Sequence, residues 1–245
     1  MGAAVMVERI AEASPRFKAR LAGVFEFLEG LTSASGQVLI LGRLIVSGNA
    51  VATAANIQGH ARLFWLGFAL SLIGVVFHIA WALLFYDLFK IVNRSLSLLA
   101  TFVILVGCAV QALACLFYIA PMAVLSGGSS LSAFSAEQLR TLAFLFLKLN
   151  GQAFNLYLVF FGLWCVLIGY LIFRSAFLPR ILGVLMTISG LGWMIYFSPP
   201  LANHLFPYIA GASALGEIPL QLWLIAMGVN EQRWKEQASA AEMGA

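Results

Sequence analysis

The sequence predicts an all-α fold: a polytopic transmembrane helical bundle with six spans plus a short interfacial helix. Three observations lead there. Of 245 residues, 62% are hydrophobic and 10% are charged, whereas a soluble domain carries about 25% charged residues. So few charges cannot cover a water-facing surface. The mean hydropathy is +0.96. Apolar runs also recur along the chain, each near the roughly 20 residues that a helix needs to cross hydrocarbon. Only helices cross as single open segments, because lipid offers no partner to an unpaired backbone group.

In chain order the runs place spans at about 20–41, 62–86, 96–119, 152–173, 178–197 and 209–230. They form one domain, 20–230, between a cytoplasmic N-terminal lead at 1–19 and a cytoplasmic tail at 231–245. Several ends carry rings that favour the headgroup level, among them Trp65, Tyr86, Tyr118, Tyr170, Tyr196 and Tyr208. The first apolar run contains Glu26 and Glu29, which argues against a cleaved signal segment. Gly127, Gly128, Ser129 and Ser130 mark a loop after the third span. Ser135 and Gln138 then form a capping-box pattern, which starts a helix over about 136–149. Continued to Phe173, that helix would be about 57 Å long, well beyond a bilayer core of about 30 Å. The expectation is therefore a bend near Asn150–Gly151, with 136–149 lying in the outer interface.

Basic residues set the orientation. With the N-terminus inside, the inner segments hold Arg9, Arg16, Lys18, Arg20, Lys90, Arg94, Arg174, Arg180, Arg233 and Lys235. The outer ones hold Arg43, Arg62, Arg140 and Lys148. This distribution predicts both termini in the cytoplasm of a bacterium, with the chain in the inner membrane. The net charge of +4 is too small and too scattered for a nucleic-acid partner; the expected partner is the bilayer, with a small molecule or cation as candidate ligand.

No metalloprotease, P-loop, nucleophile-elbow or dinucleotide motif is present, so no cofactor and no metal is expected. Cys108, Cys115 and Cys165 lie in apolar runs without C-x-x-C spacing and read as small buried hydrophobes. Ionisable groups inside spans carry more information, since a charge at the bilayer centre costs about 2.5–3.5 kcal/mol on insertion scales. The candidates are Glu26 and Glu29, on one face of the first span, His78 in the second, and Glu217 in the sixth, followed by Pro219 and Gln221. Gln111, Gln152 and Asn155 read as polar contacts between helices. Ala212-x-x-x-Gly216 and Gly183-x-x-x-Thr187 read as close-packing positions, and Trp81, Trp164, Trp193 and Trp223 as packing or belt residues.

Three stretches carry a family resemblance: GRLIVSGNAVATAANI, FFGLWCVLIGYLIFRSAFLPRILGVLMTISGLG and GEIPLQLWLIAMGVN. From about Arg20 to Val229 the chain resembles a bacterial membrane-protein family known as domain of unknown function 4386. The resemblance implies several spans and no stated activity. It also implies histidines near the positions here held by Asn150 and Trp164. This chain lacks both, which argues against a histidine-built metal or haem site. Glu217 falls within the matching final span.

Three functions compete. One is binding or transport of a small solute or ion through a polar pocket in the inner half of the bundle, built from Glu26, Glu29, His78, Glu217 and Gln221. Glu29 lies eight residues past Leu21 and His78 eight before Tyr86, so antiparallel spans would bring the two to similar depth, about 12 Å in. A structural or regulatory membrane partner is the second, with the same groups serving as interhelical bonds. The third is an intramembrane enzyme acting on a lipid-like substrate, for which no nucleophile motif speaks.

Overall fold

The computed structural model describes residues 13–128 and 131–243. Part of the expected lead, including Glu8, Arg9 and Glu12, lies outside the described residues, as do Ser129 and Ser130 of the Gly/Ser loop. Among the described residues there are helices and turns and no strand.

Helix α1, Pro15–Ala34, begins where sequence chemistry dictates. The Ser14 hydroxyl accepts from the Phe17 N–H at 3.3 Å, and Pro15 fills the first helical position, where a missing N–H is harmless. The chain continues as a π-helical stretch, Ser35–Leu41, and a last turn, Gly42–Leu44. A short helix, α2 (Ala50–Gly59), follows, capped by the Asn49 side chain, which accepts from the Ala52 N–H at 2.9 Å. This helix lies between the first two apolar runs and belongs to neither. Its signal was there in Asn49, an N-capping residue before an Ala-rich run.

Helix α3 spans Ala61–Phe89 and α4 Arg94–Leu125, with Asn93 capping α4 through the Leu96 N–H. Helix α5 spans Ala136–Arg174. Its capping box forms as expected: Gln138 N–H donates to Ser135 Oγ at 3.2 Å, and Ser135 N–H to Gln138 Oε1 at 2.8 Å. The helix is hydrogen-bonded without interruption for 39 residues, through the Asn150–Gly151 position where the bend is expected. The reason is local. Asn150 donates its side chain to the Ala114 carbonyl of α4 at 2.8 Å, so it does not compete for its own backbone. Gly151 alone weakens a helix by only about 1 kcal/mol.

Helix α6 spans Arg180–Met194 and ends in a 3₁₀ turn, Ile195–Phe197. Helix α7, Pro199–Ala226, starts earlier than the sixth apolar run because Pro199 and Pro200 occupy its first turn. It ends before Gly228, whose φ of +66° stops the helix. Helix α8, Glu231–Met243, is capped by Asn230 and occupies the expected tail. Among the described residues, six helical stretches are long and apolar enough to cross a membrane: Pro15–Leu44, Ala61–Phe89, Arg94–Leu125, Ala136–Arg174, Arg180–Phe197 and Pro199–Ala226. Large apolar side chains such as Val76, Phe102, Leu116 and Leu215 stand exposed along them, as lipid contact requires.

The chain divides into two compact units. The first gathers the residues up to Phe27, His78–Gly107 and the chain from Leu158 on; the second gathers Leu28–Phe77 and Cys108–Tyr157. In the first, the core is aromatic. Trp81 and Trp164 meet at 4.5 Å between ring centroids, flanked by Phe85, while Phe89 meets Phe177 at 5.7 Å. Glycines set the spacing of α5 and α6. A Cβ at Gly190 would fall 2.5 Å from the Gly162 carbonyl, and one at Gly183 2.5 Å from the Gly169 carbonyl. The two helices therefore touch backbone to backbone at two levels, two turns apart. Gly216 of α7 similarly meets the Leu185 carbonyl of α6, 2.6 Å from a built Cβ. In the second unit, Leu41, Leu44, Ile57, Phe64, Tyr118 and Leu147 form the core. There Gly36 of the π-helical stretch packs on the Gly67 carbonyl and Ser71 of α3.

Candidate functional site

The first unit holds four of the five sequence-predicted site residues: Glu26, His78, Glu217 and Gln221. Glu217 is the best defined. Its Oε1 accepts from Ser189 Oγ at 2.6 Å, Trp193 Nε1 at 2.6 Å and Ser213 Oγ at 2.8 Å. Ser213 lies one turn earlier on α7; Ser189 and Trp193 lie one turn apart on α6. The i,i+4 spacing aims all three donors at one atom. Trp193, read from sequence as a packing residue, is thus a ligand of the carboxylate. Gln221 sits one turn beyond Glu217 on the same α7 face, but Glu217's three bonds come from elsewhere. The three partners converge on Oε1, while Oε2 makes no hydrogen bond among the described residues.

His78 is fully buried and stacks on Trp81, with centroids 4.4 Å apart and planes 23° apart. The edge of Phe161 stands 6.1 Å away, and Phe161 meets Trp193 at 6.4 Å. An aromatic path thus links His78 to the residue that holds Glu217. The Trp81 indole N–H is buried and meets no hydrogen-bond acceptor among the described residues. Such a donor costs roughly 1–3 kcal/mol unless a water or ligand meets it.

Glu26 is 2% exposed. Both Glu26 and Glu217 lie within electrostatic reach of the fully buried Cys165 on α5. An ion pair sets the register of α1 against α3: Lys18 and Lys90 both donate to Asp87, one to each carboxylate oxygen. From Lys18, Glu26 lies eight residues along α1; from Asp87, His78 lies nine residues back along α3. These are about 12 and 13.5 Å of helix, which makes Glu26 and His78 level in the first unit.

Glu29 belongs to the second unit. Its Oε1 accepts from Ser33 Oγ at 2.9 Å, and Gln111 Nε2 donates to that hydroxyl at 3.3 Å, so Gln111 makes the interhelical contact expected of it. The Gln111 Oε1 is buried and meets no donor among the described residues. The three cysteines are free and buried.

Six apolar membrane-crossing helices with buried ionisable groups define an integral, multi-pass membrane protein. The profile of the family described as domain of unknown function (DUF4386) matches residues 21–228, and the chain belongs to that family. No curated protein and no solved structure matches it.

Proposed function

We propose that the protein binds a proton or small cation within the membrane and couples that binding to movement of a small solute. Glu26, His78, Glu217 and Gln221 form the site in the first unit. The observation that carries this reading is Glu217. Three donors fix one carboxylate oxygen, and the other is left to take up a proton or meet a cation. Glu26 and His78, level with one another and buried, supply a second carboxylate and an imidazole able to exchange a proton. The bare indole N–H of Trp81 offers a donor to an acceptor group on a solute. Glu29, held by Ser33, is assigned a separate role as a polar tie within the second unit. In this proposal the protein lies in a bacterial inner membrane with both termini in the cytoplasm, on the strength of the basic-residue distribution.

One observation favours a structural reading instead: the bonds from Ser189 and Trp193 join α6 to α7 and hold them as glue would. Glu217→Gln separates the two, because glutamine keeps an accepting oxygen and loses the titratable one. In proteoliposomes loaded with a pH-sensitive dye, or with a cation-sensitive dye for the small cation, an imposed potential should drive flux through the wild type. E217Q should lower that flux by about tenfold or more while melting within a few degrees of wild type. A wild type as tight as empty vesicles, or an E217Q variant with full flux, would overturn the transport reading.

A further inference from the structure

A second site lies at the α5–α6 turn, away from the buried carboxylates. Sequence places two arginines there. Arg180 opens α6, and Arg233 sits on the first turn of α8. Several contacts hold α8 against the turn. The Asn230 N–H donates to the Phe177 carbonyl at 3.1 Å, the Ala176 N–H to Gln237 Oε1 at 2.9 Å, and Arg233 Nη1 to the Ala176 carbonyl at 3.5 Å. Trp234 Nε1 donates to the Leu88 carbonyl of α3 at 3.0 Å. Between α8 and the turn a cavity of about 520 Å³ remains, lined by Ser175, Pro179, Arg180, Arg233 and Glu236 among others. Two guanidiniums against one carboxylate give it a net positive lining.

An apolar groove of about 230 Å³ runs along the same hairpin, lined by Gly169, Tyr170, Phe173, Gly183, Val184 and Thr187 together with Val166. It exists because Gly169 and Gly183 bring the two backbones together and leave no side chain to fill the seam. The cavity and the groove adjoin at one contact: the Arg180 guanidinium lies 5.7 Å from the centre of the Phe173 ring. Phe173, Val184 and Ile181 are exposed on this face, in helices that cross the membrane.

We infer that the α5–α6 hairpin and α8 form a binding site for an anionic phospholipid, with its phosphate between Arg180 and Arg233 and an acyl chain in the Gly169–Gly183 groove. The charge fits the headgroup, since guanidinium forks match phosphate oxygens. The groove fits the tail, being apolar and at lipid depth. A soluble anion would use the cavity and leave the groove without purpose. The site is independent of the transport reading and involves none of its residues.

The test is a melting curve of the detergent-solubilised full chain, titrated with phosphatidylglycerol, phosphatidylcholine or inorganic phosphate. Phosphatidylglycerol should raise the melting temperature saturably, and the other two should not. Each arginine should contribute about fivefold in apparent affinity. R180Q/R233Q should therefore bind about 25-fold more weakly, and E236Q more tightly than wild type. Filling the groove with Val184→Trp should weaken phosphatidylglycerol binding while leaving the arginines in place. An equal shift with inorganic phosphate, or an unchanged V184W, would show an anion cavity and overturn the lipid assignment. Unchanged affinity in both R180Q/R233Q and E236Q would overturn the site altogether; because E236Q removes only a repulsive charge on an exposed helix, it folds whether or not the double variant does.

Discussion

Replacing glycine by alanine should have opposite signs at two positions of one helix pair. At Gly190 the new methyl would lie 2.5 Å from the Gly162 carbonyl oxygen and 2.8 Å from Cys165 Cβ. One of these is backbone and the other is fixed to it, so no rotamer change relieves the contact and α5 and α6 must separate. Overpacking of this kind costs typically 1–3 kcal/mol, and a clash with backbone belongs at the upper end. Alanine returns about 1 kcal/mol of helix propensity. The net is a loss of about 2 kcal/mol, or a melting temperature lower by about 4–8 °C. At Gly151 of α5 a Cβ meets nothing within 4 Å. The helix there is continuous, so only the propensity gain remains, up to about 1 kcal/mol or 2–4 °C upward. Scanning fluorimetry of both variants in one detergent reads the pair directly. A G190A variant as stable as wild type would refute the backbone seam. A destabilised G151A would refute the open, helical surroundings of Gly151, since alanine is penalised only where its methyl meets a neighbour or the backbone leaves the helical region.

Asn150→Ala removes the 2.8 Å bond to the Ala114 carbonyl and should lower stability by about 0.6–1.7 kcal/mol in a detergent melt; no change would mean the bond is idle. Asp87→Asn leaves Lys18, whose side chain is 12% exposed, facing Lys90 without a carboxylate between them. It should destabilise more than Lys90→Met does, and the double variant Lys18→Met/Asp87→Leu should recover part of the loss; equal effects of the two single changes would refute the bridging role. For topology, a reporter fused after Gly128 should read periplasmic and one at the C-terminus cytoplasmic; the reverse pair would overturn the orientation. Cysteines placed at Arg140 and Lys148 should both label from outside, and labelling of the second only from the cytoplasm would contradict an outer position for this end of α5.

Hydropathy revealed the six crossing helices because the bilayer imposes one length and one polarity on each. Local capping was equally legible: Ser135 and Gln138 bond as their spacing dictates. Legibility failed where partners are distant in sequence. The bond from Asn150 to the Ala114 carbonyl of another helix is invisible without the fold. Gly183 and Thr187 read as close-packing positions and do pack closely, but that their partner is Gly169 of α5 is visible only in the fold. Glu217 stood out as a charge in an apolar run, but its ligand Trp193 looked like any buried ring. Glu26 and Glu29 share a helix face and looked alike. Their neighbours separate them, with Glu29 tied to Ser33 and Glu26 lying near Cys165.

The Trp234 bond to Leu88 has a consequence in time. The final carbonyls of a helix lack partners within it, and for α3 one of them is satisfied from 146 residues further along the chain. A ribosome adding about 5–20 residues per second leaves that carbonyl waiting for roughly 7–30 seconds after α3 is made. During that interval the end of α3 has only water, lipid headgroups or a chaperone to turn to. Arrival of Trp234 closes it, so protection of the amides around Leu88 from hydrogen exchange during synthesis would date the moment at which α8 docks.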